Sequence, residues 1–264
     1  MKIKFTVAAA LILCACTPVK TDLEKYALNC KAKEIVLQSD TLELPYRVVF
    51  NSLGQADSVI TYNFDKSFRY LETYTYNGKH QVTQISGLNA DNEDEARYEY
   101  DYKGRFISEC RMYGMNNQEV SKWVHENDGR HIVKTDYYAE GELSFVSNKE
   151  YSGKTYVEKS YSAEGDYLGS ADVAFLTEDK FTRIKSADID VEIEYNSKAL
   201  PVRSRGTTLT STGEMMWVPD LEQFPERYYS YEYDERGNWI SRADRVHPDS
   251  AAYAVLRRTI TYQK

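Results

Sequence analysis

Two histidines are the first residues whose spacing invites chemistry. His125 and His131 bracket Glu126-Asn127-Asp128-Gly129-Arg130, and a tight turn there would set the two imidazoles opposite each other on adjacent strands, with Cβ atoms about 5 Å apart. That separation suits a shared zinc ion. A zinc site needs further ligands, and the candidates Glu126 and Asp128 sit in the turn itself; the expectation is an ordinary exposed pair and no metal. A second constellation is Asp188-Ile189-Asp190-Val191-Glu192-Ile193-Glu194-Tyr195, whose strand-type alternation lines Asp188, Asp190, Glu192 and Glu194 along one face. Such a ladder suits a cation or a basic partner. A turn at Ser186-Ala187 would bring Lys185 against Asp188 and Arg183 against Asp190, so the expectation is a solvated face half neutralised across strands. The sequence contains no Gly-x-Ser-x-Gly elbow, no His-Glu-x-x-His and no phosphate loop, and its four histidines (His80, His125, His131, His247) leave few ways to build a nucleophile and base. Acid pairs for glycoside chemistry would have to come from 41 acidic residues that vary mostly at turns, where solvent holds a carboxyl near its ordinary pKa. The chain reads as a non-enzyme without a cofactor.

One covalent modification is written into the N-terminus. Lys2 and Lys4 precede an apolar run from Phe5 to Leu13, the pattern of an export signal and too short to cross a bilayer as a mature helix. Leu13-Cys14-Ala15-Cys16 then resembles a bacterial lipobox, which implies a lipid on Cys16 and anchoring on a membrane surface rather than through it. The layout that follows is a signal peptide over 1–15, a tether over 16–21, a helix and lead-in strand over 22–45, and a β domain over 46–264. The expected location is the cell envelope, as an outer-membrane lipoprotein facing the periplasm or the exterior. A net charge of -8 and a pI near 5.2, with no basic stripe in the sequence, argue against nucleic acid. Cys30 and Cys110 remain in the mature body, and an oxidising compartment leaves them as either a disulfide or two thiols.

Placing these residues falls to hairpins. The stretch YEYDYKGRFISEC, Tyr98 to Cys110, returns as YEYDERGNWISRA, Tyr231 to Ala243. In each copy Asp opens a type I turn and Gly takes the position where φ is positive, a three-residue loop ending in a bulge. Comparable turns recur at Gly54, Gly78, Gly129, Gly141, Gly165 and Gly213, mostly about two dozen residues apart, which marks an array of hairpins. In this loop the residue before the Asp faces the residue two after the Gly. Tyr100 is therefore expected opposite Phe106, Tyr161 opposite Tyr167, and Tyr233 opposite Trp239. The 23 tyrosines serve as the recurrent strand residue, each ring stabilising a half-buried surface while its hydroxyl stays wet.

The two quoted copies resemble the YD repeats of Rhs-type and teneurin-type proteins, with looser copies between Tyr46 and Tyr262. The resemblance implies hairpin geometry, a cell-surface habit and an association with carbohydrate. Together with the lipobox it resembles surface lipoproteins of Bacteroidetes-type bacteria. The fold expected is all-β, an antiparallel meander of hairpins curling into an open sheet or incomplete barrel, with one short helix near residues 22–30 from the capping-box spacing of Thr21-Asp22-Leu23-Glu24. The function expected is a non-catalytic surface interaction module, in which a row of rings including Tyr98, Tyr231 and Trp217 stacks on extracellular glycan or peptide. The alternative is a structural spacer whose tyrosines only clasp hairpins.

Overall fold

The computed structural model describes residues 22–39, 44–91, 93–177, 180–187, 190–206, 208–211, 217–220 and 226–263. Period-two alternation runs through most of the chain. It yields β1 (Ala32–Gln38), β2 (Tyr46–Phe50), β3 (Ala56–Tyr62), β4 (Phe68–Tyr76), β5 (Val82–Asn89), β6 (Asp94–Lys103), β7 (Phe106–Tyr113), β8 (Glu119–Asn127), β9 (Ile132–Ala139), β10 (Glu142–Ser152), β11 (Thr155–Ser162), β12 (Tyr167–Thr177), β13 (Lys180–Lys185), β14 (Asp190–Tyr195), β15 (Pro201–Gly206), β16 (Thr208–Ser211), β17 (Trp217–Asp220), β18 (Glu226–Tyr233), β19 (Trp239–Arg245) and β20 (Ala254–Tyr262). β16 and β17 pair only with each other, as a ribbon between β15 and β18. The other eighteen strands form one antiparallel meander.

The sheet closes, which corrects the expected open sheet or incomplete barrel. β1 pairs with β2 on one side, Ile35 opposite Val48, and with β20 on the other, Ile35 opposite Ile260. The first and last strands of the meander thus satisfy each other's backbone groups, and the main sheet keeps no free edge. Closure also gives the wall an inside and an outside. Ile35, Leu37, Val48, Val59, Val173, Ile184, Val191 and Leu256 are buried on one face; the alternate positions carry the charges. Arg183 faces Glu192, Glu192 faces Arg205 and Glu194 faces Arg203 along the outer face of β13, β14 and β15.

At one rim, called lower here, the strands are joined by residues 51–55, 77–81, 104–105, 128–131, 153–154, 196–200 and 234–238, and the barrel receives the N-terminal segment. The upper rim holds 63–67, 90–93, 114–118, 140–141, 163–166 and 246–253. The expected helix over 22–30 is reduced to one turn, Asp22–Lys25. Ala27 takes φ 50, which ends the turn and sends Leu28 into a core shared with Tyr26, Phe50, Val59 and the start of β1. A second core lies around Tyr156, Val173, Phe181, Ile184 and Val191.

Register follows the expected rule in the later copy and departs from it in the first. Tyr233 faces Trp239 and Tyr161 faces Tyr167, but Tyr100 faces Cys110 and Phe106 faces Lys103. The first copy continues its strand through Asp101, Tyr102 and Lys103 and closes with the two-residue loop Gly104-Arg105, where Gly104 supplies φ 67. The reason is Tyr102: in a three-residue loop its ring would be exposed, whereas in the strand its hydroxyl donates to the Val82 carbonyl at 2.8 Å.

Candidate functional site

Aromatic rings gather on the inner face because the strands alternate tyrosine with charged or polar residues, as in Tyr98-Glu99-Tyr100-Asp101-Tyr102 and Tyr229-Ser230-Tyr231-Glu232-Tyr233. Tyr98 points inward from β6, opposite Ile85 and Met112, and is half-buried. Tyr231 points inward from β18, its ring 6.1 Å from Trp239 and 6.4 Å from Tyr233, and burial pushes its hydroxyl pKa up. The two lie about half-way round the ring of strands from each other, so they do not form the single row expected. Trp217 is placed by its backbone alone, opposite Ser211 in the ribbon, and Cys16 lies outside the described residues.

A polar patch that sequence reasoning missed sits beside Tyr231. Arg242 forks Asp244 with bonds of 2.9 and 3.2 Å, and Asp244 is 1% exposed. Tyr229 shares a 2.9 Å hydrogen bond with Ser204. The signal was available: Arg242 and Asp244 stand two apart on the strand that pairs with the tyrosines of β18, so both must share the inner face with them.

The histidine pair does not form. β8 runs on to Asn127, which pairs with Ile132, and His125 faces Thr135, with 2.9 Å between Nδ1 and Thr135 Oγ1. His131 instead stacks on Tyr151, ring centres 4.2 Å apart. Burial foremost, with the charge of Lys149 adding to it, lowers the His125 pKa to about 4. Among the described residues no group of three His, Cys, Asp or Glu is placed to hold a metal. The carboxylate ladder is shifted by two from the expected register: Lys185 faces Asp190 and Arg183 faces Glu192, because the turn before β14 is longer than supposed, and Asp188 lies outside the described residues. Neutralisation comes from both sides, with Arg183 3.1 Å from Asp190 and Arg203 2.8 Å from Glu194. Cys30 and Cys110 are free thiols; Cys110 lies inside the wall opposite Trp123, while Cys30 stands at the lower rim beside Asn238.

The lower rim is laced. In the turns at Asn51, Asn77, Asn196 and Asp234 the side-chain oxygen accepts the N–H groups two and four residues on, as from Lys79 at 2.9 Å and Gln81 at 3.1 Å. Several hairpins also reach the next: Gln81 donates to the Gly104 carbonyl at 2.9 Å, Arg105 to the Arg130 carbonyl at 3.1 Å and Lys198 to the Gly237 carbonyl at 2.6 Å. The N-terminal segment is inserted inside this rim. Asp22 accepts the Ala56 N–H at 2.8 Å and the Tyr76 hydroxyl at 2.9 Å. Arg258, 4% exposed, donates to the carbonyls of Tyr26 at 2.6 Å and Trp239 at 2.9 Å.

An eighteen-stranded up-and-down barrel with a charged wall and an aromatic interior is therefore the class that the fold defines. No protein-family model matches the chain, and no curated protein matches it. Among solved structures it is similar to a porin-like protein from Bacteroides uniformis, at 12% identity and a TM-score of 0.42, covering 87% of this chain and 97% of that one. It is also similar to part of a TcdB2-TccC3-Cdc42 complex, at 9% identity and a TM-score of 0.36, covering 82% of this chain and 13% of that one. Likeness at this level carries no shared function.

Proposed function

We propose that the chain is a cell-envelope lipoprotein, held on a membrane surface through Cys16, whose barrel is a non-catalytic interaction module built of degenerate YD-type hairpins on a Bacteroidetes-type surface protein. The observation that carries this reading is the direction of the wall. A barrel that spans a bilayer turns an apolar band outward, whereas this wall turns outward Arg111 with Asp101 at 2.7 Å, Lys134 with Glu126 at 3.0 Å, and the paired ladder of β14. Such a face is suited to water. The half-buried inner tyrosines, Tyr98 and Tyr231 among them, then offer rings to an extracellular glycan or peptide. The structural-spacer reading draws on the same rings, since Tyr231 with Trp239, and Tyr161 with Tyr167 at 5.8 Å, already clasp each other.

Two measurements test the proposal. Cys16→Ala is expected to move the protein from the membrane to the soluble fraction in a high-salt wash that screens surface charge; unchanged membrane association there would end the anchoring reading. A glycan array and a peptide library probed with the soluble barrel are expected to give ligands that Tyr98→Ala or Tyr231→Ala weakens tenfold or more. Silence on both arrays leaves the spacer.

A further inference from the structure

The two rims carry opposite charge, and the N-terminal segment enters through the basic one. Lys79, Arg105, Arg130, Lys154, Lys198 and Arg236 stand exposed in the turns of the lower rim, with Lys31 beside them. Among the described residues none of these seven is ion-paired, in contrast to the wall, where Arg111, Arg183 and Arg203 lie 2.7, 3.1 and 2.8 Å from carboxylates. The acids described in these turns are Asp128, Asp234 and Glu235, and the first two are occupied by their own turns: Asp128 accepts the N–H of Arg130 at 2.8 Å and of His131 at 2.7 Å, and Asp234 that of Asn238 at 2.8 Å. Glu178 and Asp179, between β12 and β13, lie outside the described residues. The upper rim is the reverse. Asp65, Asp91, Glu93, Glu140, Glu164 and Asp166 are exposed there, and Lys66 is the one cation described in its turns.

We propose that the lower rim docks on a bilayer surface bearing anionic headgroups, so that the barrel stands on end with its acidic rim and the β16–β17 ribbon directed away. Guanidinium and ammonium groups that no described carboxylate neutralises, ringed around one end, match a plane of lipid phosphates, and the opposite end would be repelled by it. The chain outside the structure leads to the same surface: Asp22 is fixed inside the lower rim against Tyr76, and the six residues back to Cys16 reach about 20 Å when extended. A lipid on Cys16 would thus hold this rim, and not the other, at the headgroups. The direction of the tether rests on the lipoprotein reading; the rim's affinity for anionic lipid does not.

The test uses residues 17–264, which keep every strand, floated with phosphatidylglycerol–phosphatidylcholine vesicles and with phosphatidylcholine alone. Binding is expected to the anionic vesicles only, and to be lost at high salt within the range where surface charges are screened. Each rim cation contributes roughly fivefold in partitioning, so Lys79→Gln/Arg105→Gln/Arg130→Gln is expected to lose about a hundredfold. Lys66→Glu/Asn116→Asp, which changes net charge by the same three units at the upper rim, is expected to change binding less than twofold. Equal losses in both variants, binding to neutral vesicles, or retention on duplex DNA without binding to anionic vesicles would each overturn the proposal. Circular dichroism on both variants keeps unfolding apart from lost affinity. At high salt, where the rim is screened, membrane association that persists in Cys16→Ala would refute the anchor, whereas vesicle binding by residues 17–264 at low salt tests the rim alone.

Discussion

Acid should weaken the barrel through a single imidazole. His125 is 6% exposed on the inner face of β8, and its pKa falls from 6.5 to about 4, chiefly through burial and secondarily through Lys149. The folded-state pKa lies below the unfolded one, so protonation favours the unfolded chain. The contribution is complete above about pH 6.5 and is lost as the pH falls towards 4. Linkage puts that loss at about 1.4 kcal/mol by pH 5.5 and about 2.5 kcal/mol by pH 4.5. Carboxylates held low by partners, such as Asp190 beside Arg183, titrate further down and are common to any variant that keeps them. The measurement is therefore a difference: urea unfolding of the wild type and of His125→Gln at pH 7.5, 5.5 and 4.5. Glutamine can still meet Thr135 and cannot charge. It should be the less stable protein at pH 7.5, with its deficit reduced by about 2.5 kcal/mol at pH 4.5. Parallel pH curves for the two proteins would refute the assignment of a buried neutral imidazole.

Three further outcomes follow from named contacts. Arg258→Met leaves the Tyr26 and Trp239 carbonyls without their donor and should lower unfolding free energy by about 3 kcal/mol, with faster tryptic cleavage at Lys25 and Lys31. Gly206→Ala places a Cβ 1.8 Å from the Asp190 carbonyl oxygen at φ +90 and should cost about 3 kcal/mol by chemical denaturation. Gln81→Ala removes the bond to the Gly104 carbonyl and should cost about 1 kcal/mol, with increased hydrogen exchange confined to the lower rim.

The strands and their turns were legible because period-two alternation and Asx-Gly chemistry are local. Asp234 caps its own loop in the expected way, and Tyr233 meets Trp239 as a consequence. Closure was not legible, since it depends on Ile35 meeting Ile260, and nothing local in AKEIVLQ distinguishes a lead-in strand from one that pairs on both edges. The rim lacing was only half legible: the asparagine caps are visible in sequence, but Gln81 reaching Gly104 requires knowing that neighbouring hairpins lie side by side.

The two similar stretches on β6–β7 and β18–β19 show where local reasoning stops. Tyr98 to Cys110 and Tyr231 to Ala243 share Tyr-Glu-Tyr-Asp and a glycine three residues on, yet one aspartate caps a loop while the other, Asp101, lies in a strand paired to Arg111 at 2.7 Å. Of the six positions at which the two stretches differ, the one that decides the loop is Tyr102 against Glu235. Glu235 has no ring to bury and stays in its loop, while Tyr102 moves into the strand, reaches Val82 and shortens the loop to Gly104-Arg105. That shift sets Arg105 where it can donate to Arg130, so the burial of a single tyrosine also sets how a basic residue is presented at the lower rim. Turn chemistry, ring burial and rim charge are thus one coupled property of each hairpin, and a substitution of Tyr102 by Glu should restore the longer loop and pair Tyr100 with Phe106, a change visible as a new cross-strand contact between their rings by NMR.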